Sequence, residues 1–199
     1  MSRRVILGLT GNIATGKSAV MRLAAERGAL TIDADKVVHE LLDGDATIQA
    51  AVVEAFGPEV RRADGRIDRA ALGRIVFGDA GKLQQLEGLL HPATRAEIAR
   101  RVAAADAQVV VIEAIKLLEG PLATLSDQIW VTTCTRETQM ERLRVCRGMD
   151  EASAAARIDA QPPQAGKIAR ADVVIHTDGL MADTQAQFEA AWKNLPRDL

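Results

Sequence analysis

The sequence GNIATGKS occupies residues 11–18, shortly after the apolar run VILGL of residues 5–9. It matches the pattern of a glycine, four residues of any kind, and then Gly-Lys-Ser. The residues that follow predict an amphipathic helix with Val20, Leu23 and Ala24 on its apolar face. A strand, a glycine-rich loop and a helix in this order are typical of a segment that binds the phosphates of a nucleoside triphosphate.

The residue types in this loop suit phosphate binding. Gly11 and Gly16 allow tight turns that direct backbone N–H groups at phosphate oxygens. Lys17 supplies a cation for the β- and γ-phosphates, and the Ser18 hydroxyl can bind Mg²⁺. A glycine-rich turn with a chance lysine is the alternative interpretation. The predicted nucleotide contacts are Gly11, Asn12, Ile13, Ala14, Thr15, Gly16, Lys17 and Ser18.

Two aspartates end the run LTIDAD of residues 30–35. Alternate residues of an extended chain face the same side, so Asp33 and Asp35 can point together toward the phosphate loop. A carboxylate near the γ-phosphate can orient an acceptor hydroxyl and take its proton. We therefore expect Asp35 to be the base, and Asp33, a predicted substrate-binding residue, to help position it or a Mg²⁺-bound water. In the alternative interpretation, both residues only cap the next helix.

Short apolar runs alternate with longer helical patterns along the chain. Strands are predicted at residues 5–9, 30–32, 109–112, 129–133 and 173–175, and helices at 17–27, 135–147, 150–161 and 181–193. Because several strand runs are apolar throughout, both faces of the sheet should be covered by helices. The order predicts an α/β fold with a doubly wound, mostly parallel five-stranded sheet, as in P-loop kinases.

Residues 36–105 interrupt this alternation. They contain several helical patterns, little strand pattern, and breaks at Gly57-Pro58, Asp64-Gly65 and His91-Pro92. An all-helical insertion that carries substrate contacts is therefore expected within a single domain of residues 1–199. Residues 161–166 are too rich in proline for a helix.

Composition argues against several classes of function. The net charge of −2 gives no general positive field for nucleic acid or an anionic membrane. Cys134 and Cys146 lack metal-ligand spacing, which favours two reduced thiols. The apolar run near the start is too short for a signal peptide, and no stretch has transmembrane length. The sequence therefore predicts a cytoplasmic protein.

Beyond the loop and the acidic pair, the chain carries further sequence blocks in a characteristic order. They are ADG at 63–65, DRAAL at 68–72, IVF at 75–77, LLHP at 89–92, LLE at 117–119, ERL at 141–143, RGM at 147–149, RIDAQ at 157–161 and ADVVI at 171–175. With these blocks, the chain resembles the dephospho-coenzyme A kinase family over nearly its whole length.

The resemblance implies transfer of the γ-phosphate of ATP to the ribose 3′-hydroxyl of dephospho-coenzyme A, with Mg²⁺ as cofactor. It implies that Asp35 is the catalytic base, that Arg142 binds phosphate, and that Arg147 begins a mobile lid at about residues 144–170. The helical insertion then resembles a coenzyme-binding subdomain that includes His91, which alternatively fixes a helix start. We expect a monomer or weak homo-oligomer with no nucleic-acid or membrane partner.

The chain departs from the family pattern at several positions. Asn12 and Ala14 stand where the family commonly has glycine, and Pro162-Pro163 replaces a polar lid sequence. Two alternative functions stay open: another small-molecule kinase of this fold, of nucleoside or shikimate type, and an ATP-binding regulatory protein without catalysis.

Overall fold

A computed structural model describes residues 4–196 of the chain. Two compact units are present, and each is described by itself. The sheet unit comprises the chain up to Ile32 and from Asp106 onward, and the helical unit comprises residues 33–105. Among the described helices, none is both long and apolar enough to cross a membrane.

All five predicted strands are present, and each is one residue longer than predicted. They are β1 (Val5–Thr10), β2 (Leu30–Asp33), β3 (Val109–Glu113), β4 (Gln128–Thr133) and β5 (Val173–His176). The strand order is β2-β3-β1-β4-β5, and the pairings of β1 with β3, β1 with β4, and β4 with β5 are parallel. The predicted doubly wound, mostly parallel sheet is confirmed.

Helices cover the sheet and make up nearly all of the helical unit. They are α1 (Lys17–Glu26), α2 (Ala34–Gly44), α3 (Ala46–Phe56), α4 (Arg69–Val76), α5 (Ala80–Ala104), α6 (Leu122–Leu125), α7 (Arg136–Arg147), α8 (Glu151–Asp159), α9 (Ala165–Ile168) and α10 (Met181–Lys193). Thr135 and Asp150 cap α7 and α8 by accepting backbone N–H groups, because hydroxyl and carboxylate oxygens satisfy the first-turn donors.

The core of the sheet unit lies between the central strands and the helices α1 and α10. Leu7 and Leu9 of β1 are buried there. Phe188 of α10 packs edge-on against Trp130 of β4 and stacks on Trp192 at ring-centroid distances of 5.8 and 5.2 Å. These apolar contacts support the sheet on the face that α1 and α10 cover. The carboxyl ends of the strands are where a site can form in a sheet of this kind.

The helical unit has its own apolar cluster, contributed by α2 to α5 and by the segment between α3 and α4. Its buried members are Leu42, Val52, Phe56, Val60, Ile67, Leu72, Val76, Leu86 and Leu90. Each of the four helices begins after an aspartate whose side chain accepts backbone N–H groups of the first turn, namely Asp33, Asp45, Asp68 and Asp79. Apolar burial and repeated capping together explain why this stretch is helical.

Two predictions about proline are wrong. A break was expected at His91-Pro92, but α5 runs through Pro92 without ending. The buried residues Leu90 and Thr94 on either side keep this helix face packed, which offsets the hydrogen bond that proline cannot donate. Residues 161–164 are non-helical as expected, but α9 already begins at Ala165.

Candidate phosphate-binding site

The loop of residues 11–18 joins the end of β1 to the start of α1, as predicted. The Lys17 side chain folds back over this loop, where its Nζ donates to the carbonyl oxygens of Gly11 at 3.0 Å and Asn12 at 3.2 Å. The Glu113 carboxylate at the end of β3 lies 3.7 Å from the same ammonium group. The cation is thus held within the loop, beside the first-turn N–H groups of α1.

Both loop glycines are required by geometry. Gly11 has φ +153°, and a Cβ there would lie 2.5 Å from Thr132 Oγ1 and 2.6 Å from Thr15 Oγ1. Gly16 has φ +88°, and a Cβ there would lie 2.9 Å from Thr177 Cγ2. These φ values and close approaches explain why residues without a side chain stand at both positions.

Three threonine side chains fix the loop to the sheet. The hydroxyls of Thr15 and Thr132 are 2.8 Å apart, and Thr15 Oγ1 also bonds to the Asn12 carbonyl oxygen. Thr177, which follows β5, donates from its hydroxyl to the Thr15 carbonyl oxygen at 3.0 Å. The loop conformation is therefore set by the ends of β4 and β5 as well as by its own sequence.

Arg142 of α7 reaches the same loop. Its guanidinium donates to the Ala14 carbonyl oxygen at 3.0 Å, to Thr177 Oγ1 at 2.9 Å, and to the Thr177 carbonyl oxygen. The predicted phosphate-binding arginine thus lies at the loop and holds it against the segment after β5. Arg147 is exposed at the last position of α7, and Arg144 is exposed with Glu151 at 3.8 Å.

The segment between α8 and α9 bonds directly to the phosphate loop. The Gln161 side-chain oxygen accepts the Ile13 N–H at 2.6 Å, and the Gln164 side-chain oxygen accepts the Asn12 N–H at 3.0 Å. Gln164 Nε2 donates in turn to the Thr132 carbonyl oxygen at 2.6 Å. Within the predicted lid region, the stretch around Pro162-Pro163 is therefore anchored to the loop through two glutamines.

Two titratable groups at the loop have shifted pKa values. Burial raises the pKa of the Cys134 thiol, which donates to the Ala14 carbonyl oxygen at 3.7 Å. Burial, assisted by the charge of Lys17, lowers the pKa of Lys167 in α9. Both shifts have burial as their main cause, because burial disfavours the charged form of each group.

Three predicted site residues belong to the helical unit. Asp33 caps α2, accepting the Lys36 N–H at 3.1 Å, and its carboxylate lies 3.4 Å from Lys36 Nζ. Asp35 lies exposed in the first turn of α2, two residues beyond the end of β2. His91 is exposed in the middle of α5 and does not start a helix. The capping interpretation therefore holds for Asp33, whereas Asp35 is not the cap of this helix.

Ser18, the predicted Mg²⁺ ligand, is exposed at the second position of α1. Among residues 4–196, no group of three or more His, Cys, Asp or Glu side chains is arranged to hold a metal ion. The donor at the loop nevertheless fits Mg²⁺, because this ion usually takes one or two protein oxygens and completes its shell with phosphate and water oxygens.

Sequence reasoning missed several side chains that contact the loop. They are Glu113, Thr132, Gln139, Gln161, Gln164, Lys167 and Thr177. Glu113, Thr132 and Thr177 end or follow predicted strands, and the carboxyl ends of parallel strands are where sites form, so that signal was present. Gln161, Gln164 and Lys167 come from the proline-rich segment and the helix α9 that follows it, whose path no local pattern gives, and Gln139 lies on α7.

Comparisons with known proteins identify the family of this chain. A family model for dephospho-CoA kinase matches residues 5–183. The dephospho-CoA kinases of Symbiobacterium thermophilum and Streptomyces avermitilis are 44% and 42% identical to this chain, covering 94% and 95% of it and 80% and 93% of themselves. The crystal structure of TT1252 from Thermus thermophilus matches with a TM-score of 0.85 at 28% identity, over 97% of this chain and 98% of its own. The chain belongs to the dephospho-CoA kinase family.

Proposed function

We propose that the chain transfers the γ-phosphate of ATP to the ribose 3′-hydroxyl of dephospho-coenzyme A, with the triphosphate bound by the loop of residues 11–18. Membership of the family supports the reaction. The observation that supports the location is the Lys17 ammonium, held over the loop at 3.0 Å from the Gly11 carbonyl oxygen. A fixed cation beside a helix N-terminus is a binding site for a phosphate group.

Phosphoryl transfer spreads negative charge over the oxygens of the transferred group, so positioned cations stabilise the transition state. Lys17 meets this requirement within the loop. Arg142, which holds the loop through the Ala14 carbonyl oxygen, is proposed to add its guanidinium to the stabilisation of the same charge. Arg147, exposed at the end of α7, is proposed to reach the phosphates from the lid.

Asp35 is proposed to accept the proton of the 3′-hydroxyl as this oxygen attacks the γ-phosphorus. Its place in the first turn of α2 supports this role, because the Asp33 cap fixes that turn and the Asp35 carboxylate is exposed to a substrate. The helical unit with Asp33 and His91 is proposed to contact dephospho-coenzyme A. The reaction is placed in the cytoplasm, where thiols such as Cys134 and Cys146 stay reduced.

Ser18 is proposed to hold Mg²⁺ through its hydroxyl oxygen. When bound, the ion would neutralise part of the negative charge of the phosphates. Ser18 is suited to this role because it opens α1 directly after Lys17, which places its hydroxyl at the same end of the helix.

The function is tested by a substrate panel. Purified protein with ATP and Mg²⁺ is offered dephospho-coenzyme A, nucleosides and shikimate, and ADP release is measured together with the phosphorylated product. We expect turnover of dephospho-coenzyme A to exceed the others by several orders of magnitude. Clear ATP binding without turnover of any acceptor would instead support a regulatory protein.

The assignment of the base is tested by Asp35→Asn. We expect kcat to fall about a hundredfold or more while ATP affinity changes little, since general bases contribute factors of this size. Asp43→Asn is the matched control, because Asp43 is an exposed aspartate of the same helix. Unchanged turnover in Asp35→Asn would remove Asp35 from the mechanism.

A further inference from the structure

Lys167 is a buried lysine for which the proposed mechanism has no use. It lies in the short helix α9 and is only 7% exposed, although lysine is rarely buried. Its Nζ donates a hydrogen bond of 2.9 Å to the side-chain oxygen of Asn12 in the phosphate loop. The ammonium group is thus directed at the loop and withdrawn from solvent.

Within residues 4–196, no carboxylate forms an ion pair with this ammonium group, and Glu119 acts on it only at longer range. Its hydrogen-bond partner at Asn12 is a neutral amide, and a buried charge is stabilised only when it is paired. Burial and the repulsion from Lys17 lower the pKa of Lys167, while Glu119 acts in the opposite direction. Two lysine side chains therefore approach one loop, an arrangement that an anion between them would stabilise.

Asn12 holds Lys167 in this position. Its side-chain Nδ2 donates to the Pro162 carbonyl oxygen at 2.9 Å, which leaves Oδ1 to accept from Lys167. Its backbone N–H is bonded to Gln164, so both ends of the residue are fixed to the segment that precedes α9. Asn12 is itself only 7% exposed. The asparagine thus joins the phosphate loop to the element that carries the second lysine.

We propose that Lys167 is a second phosphate-binding cation of this site, which contacts the nucleotide's phosphate oxygens together with Lys17, and that Asn12 is its positioning residue. The inference rests on the proposed binding of the triphosphate by residues 11–18. If Lys167 had a purely structural role, in which it only ties α9 to the loop, its replacement would weaken the binding of adenosine and of ATP equally.

The test measures binding of inorganic tripolyphosphate and ATP by calorimetry, and of labelled adenosine by equilibrium dialysis, to wild type and Lys167→Met. Losing a hydrogen bond to a charged group should weaken tripolyphosphate and ATP about tenfold to a hundredfold. Adenosine binding should not change. Tm should stay within a few degrees, because replacing a buried charge by an apolar side chain is often neutral for stability.

Lys193→Met is the matched control, because it removes the same charge from an exposed site at the end of α10. Asn12→Gly should weaken tripolyphosphate binding less than Lys167→Met, and the double variant should bind no more weakly than Lys167→Met alone. Wild-type affinity in Lys167→Met, or equal losses for adenosine and ATP, would overturn the inference. Failure of the wild-type protein to bind tripolyphosphate or ATP would overturn the proposed site itself.

Discussion

The phosphate loop and the helical unit are held in shape by different kinds of contact. The loop is fixed by hydrogen bonds from side chains far away in sequence, such as Gln139, Arg142 and Gln161. The helical unit is held by an apolar cluster, and ion pairs such as Arg69 with Asp43, 3.6 Å apart on exposed side chains, lie outside this cluster.

The two kinds of contact have different consequences for the conformation of the loop and for the free energy of unfolding. Hydrogen bonds exchanged with water add little net stability but depend steeply on distance and angle, so they fix the loop in one conformation. Apolar burial adds free energy in proportion to the area removed from water and tolerates small shifts. Substitutions in the loop should therefore change activity more than stability, and substitutions in the helical cluster should do the reverse.

The largest effect on stability is expected for Leu72→Ala in α4. Leu72 is 3% exposed within the helical cluster, and removing a buried leucine side chain costs about 2–5 kcal/mol of unfolding free energy. We expect kcat at temperatures well below Tm to stay within about twofold of wild type. Urea unfolding followed by far-UV circular dichroism and steady-state kinetics measure the two quantities.

Tryptophan fluorescence tests which of the two units is destabilised by Leu72→Ala. Both tryptophans, Trp130 and Trp192, belong to the sheet unit, so their emission reports that unit alone. We expect the circular dichroism transition of Leu72→Ala to shift further than the fluorescence transition. Equal shifts would show that the two units unfold as one, and the separation of their cores would then be wrong.

Gly11→Ala should have the next largest effect, and mainly on activity. The added Cβ would lie 2.6 Å from the carbonyl oxygen of Thr132, so the loop backbone must move. Because small misplacements at a reacting centre cost about a hundredfold in rate, we expect at least that loss in kcat/KM for ATP. Gly120→Ala is the control, since nothing lies within 4 Å of its Cβ position. Retained activity would contradict a rigid loop.

Much of the fold could be predicted because local patterns determined it. The five strands are apolar runs that helices cover on both faces of the sheet. The predicted bounds of each strand differ from the observed ones by a single residue. The break expected at Pro92 failed for a non-local reason. The buried face of α5, with Leu86 and Ile98 on either side of the proline, outweighs its local preference.

The site was only partly predictable, because some of its residues act through contacts that sequence spacing does not encode. Lys17 was found since its role follows from a contiguous motif. Gln164 and Lys167 were missed, because their contacts with Asn12 span 152 and 155 residues and depend on the path of a proline-rich segment. Arg142 lies at the loop, but its hydrogen bonds to the carbonyl oxygens of Ala14 and Thr177 could not be foreseen.

A smaller effect is expected from Glu97 in the helical unit. Hydrogen bonds from Arg100 and Arg101 lower the pKa of Glu97 from 4.5 to about 2. A carboxylate with a lowered pKa stabilises the fold above its unfolded-state pKa, and this stabilisation is lost as the pH falls from about 5 to 2. We expect about 1 kcal/mol, because solvent screens a pair of this kind. Urea titrations across that range should show the loss in wild type and a flatter profile in Glu97→Gln.

The smallest effect is expected for Ala14→Gly. This substitution separates the energetic cost of the Ala14 backbone conformation from the packing of its methyl group. Ala14 has φ +60°, which costs a residue with a side chain about 1 kcal/mol or more relative to glycine. Ala14→Gly removes this cost but loses a methyl group in the cluster around Leu143 and gains unfolded-state entropy, so the changes nearly cancel. We expect unfolding free energy within about 0.5 kcal/mol of wild type by tryptophan fluorescence.

Ala154 is the matched control, because it packs in the same cluster from the helix α8. Ala154→Gly loses a similar methyl group and adds the penalty of glycine in a helix, so it should cost about 2 kcal/mol. Equal losses at the two alanines would show that packing alone sets stability at the loop. A clear difference would show that the left-handed conformation of Ala14 lowers the free energy of unfolding. The protein would then retain a strained residue where polar contacts from distant residues fix the loop backbone.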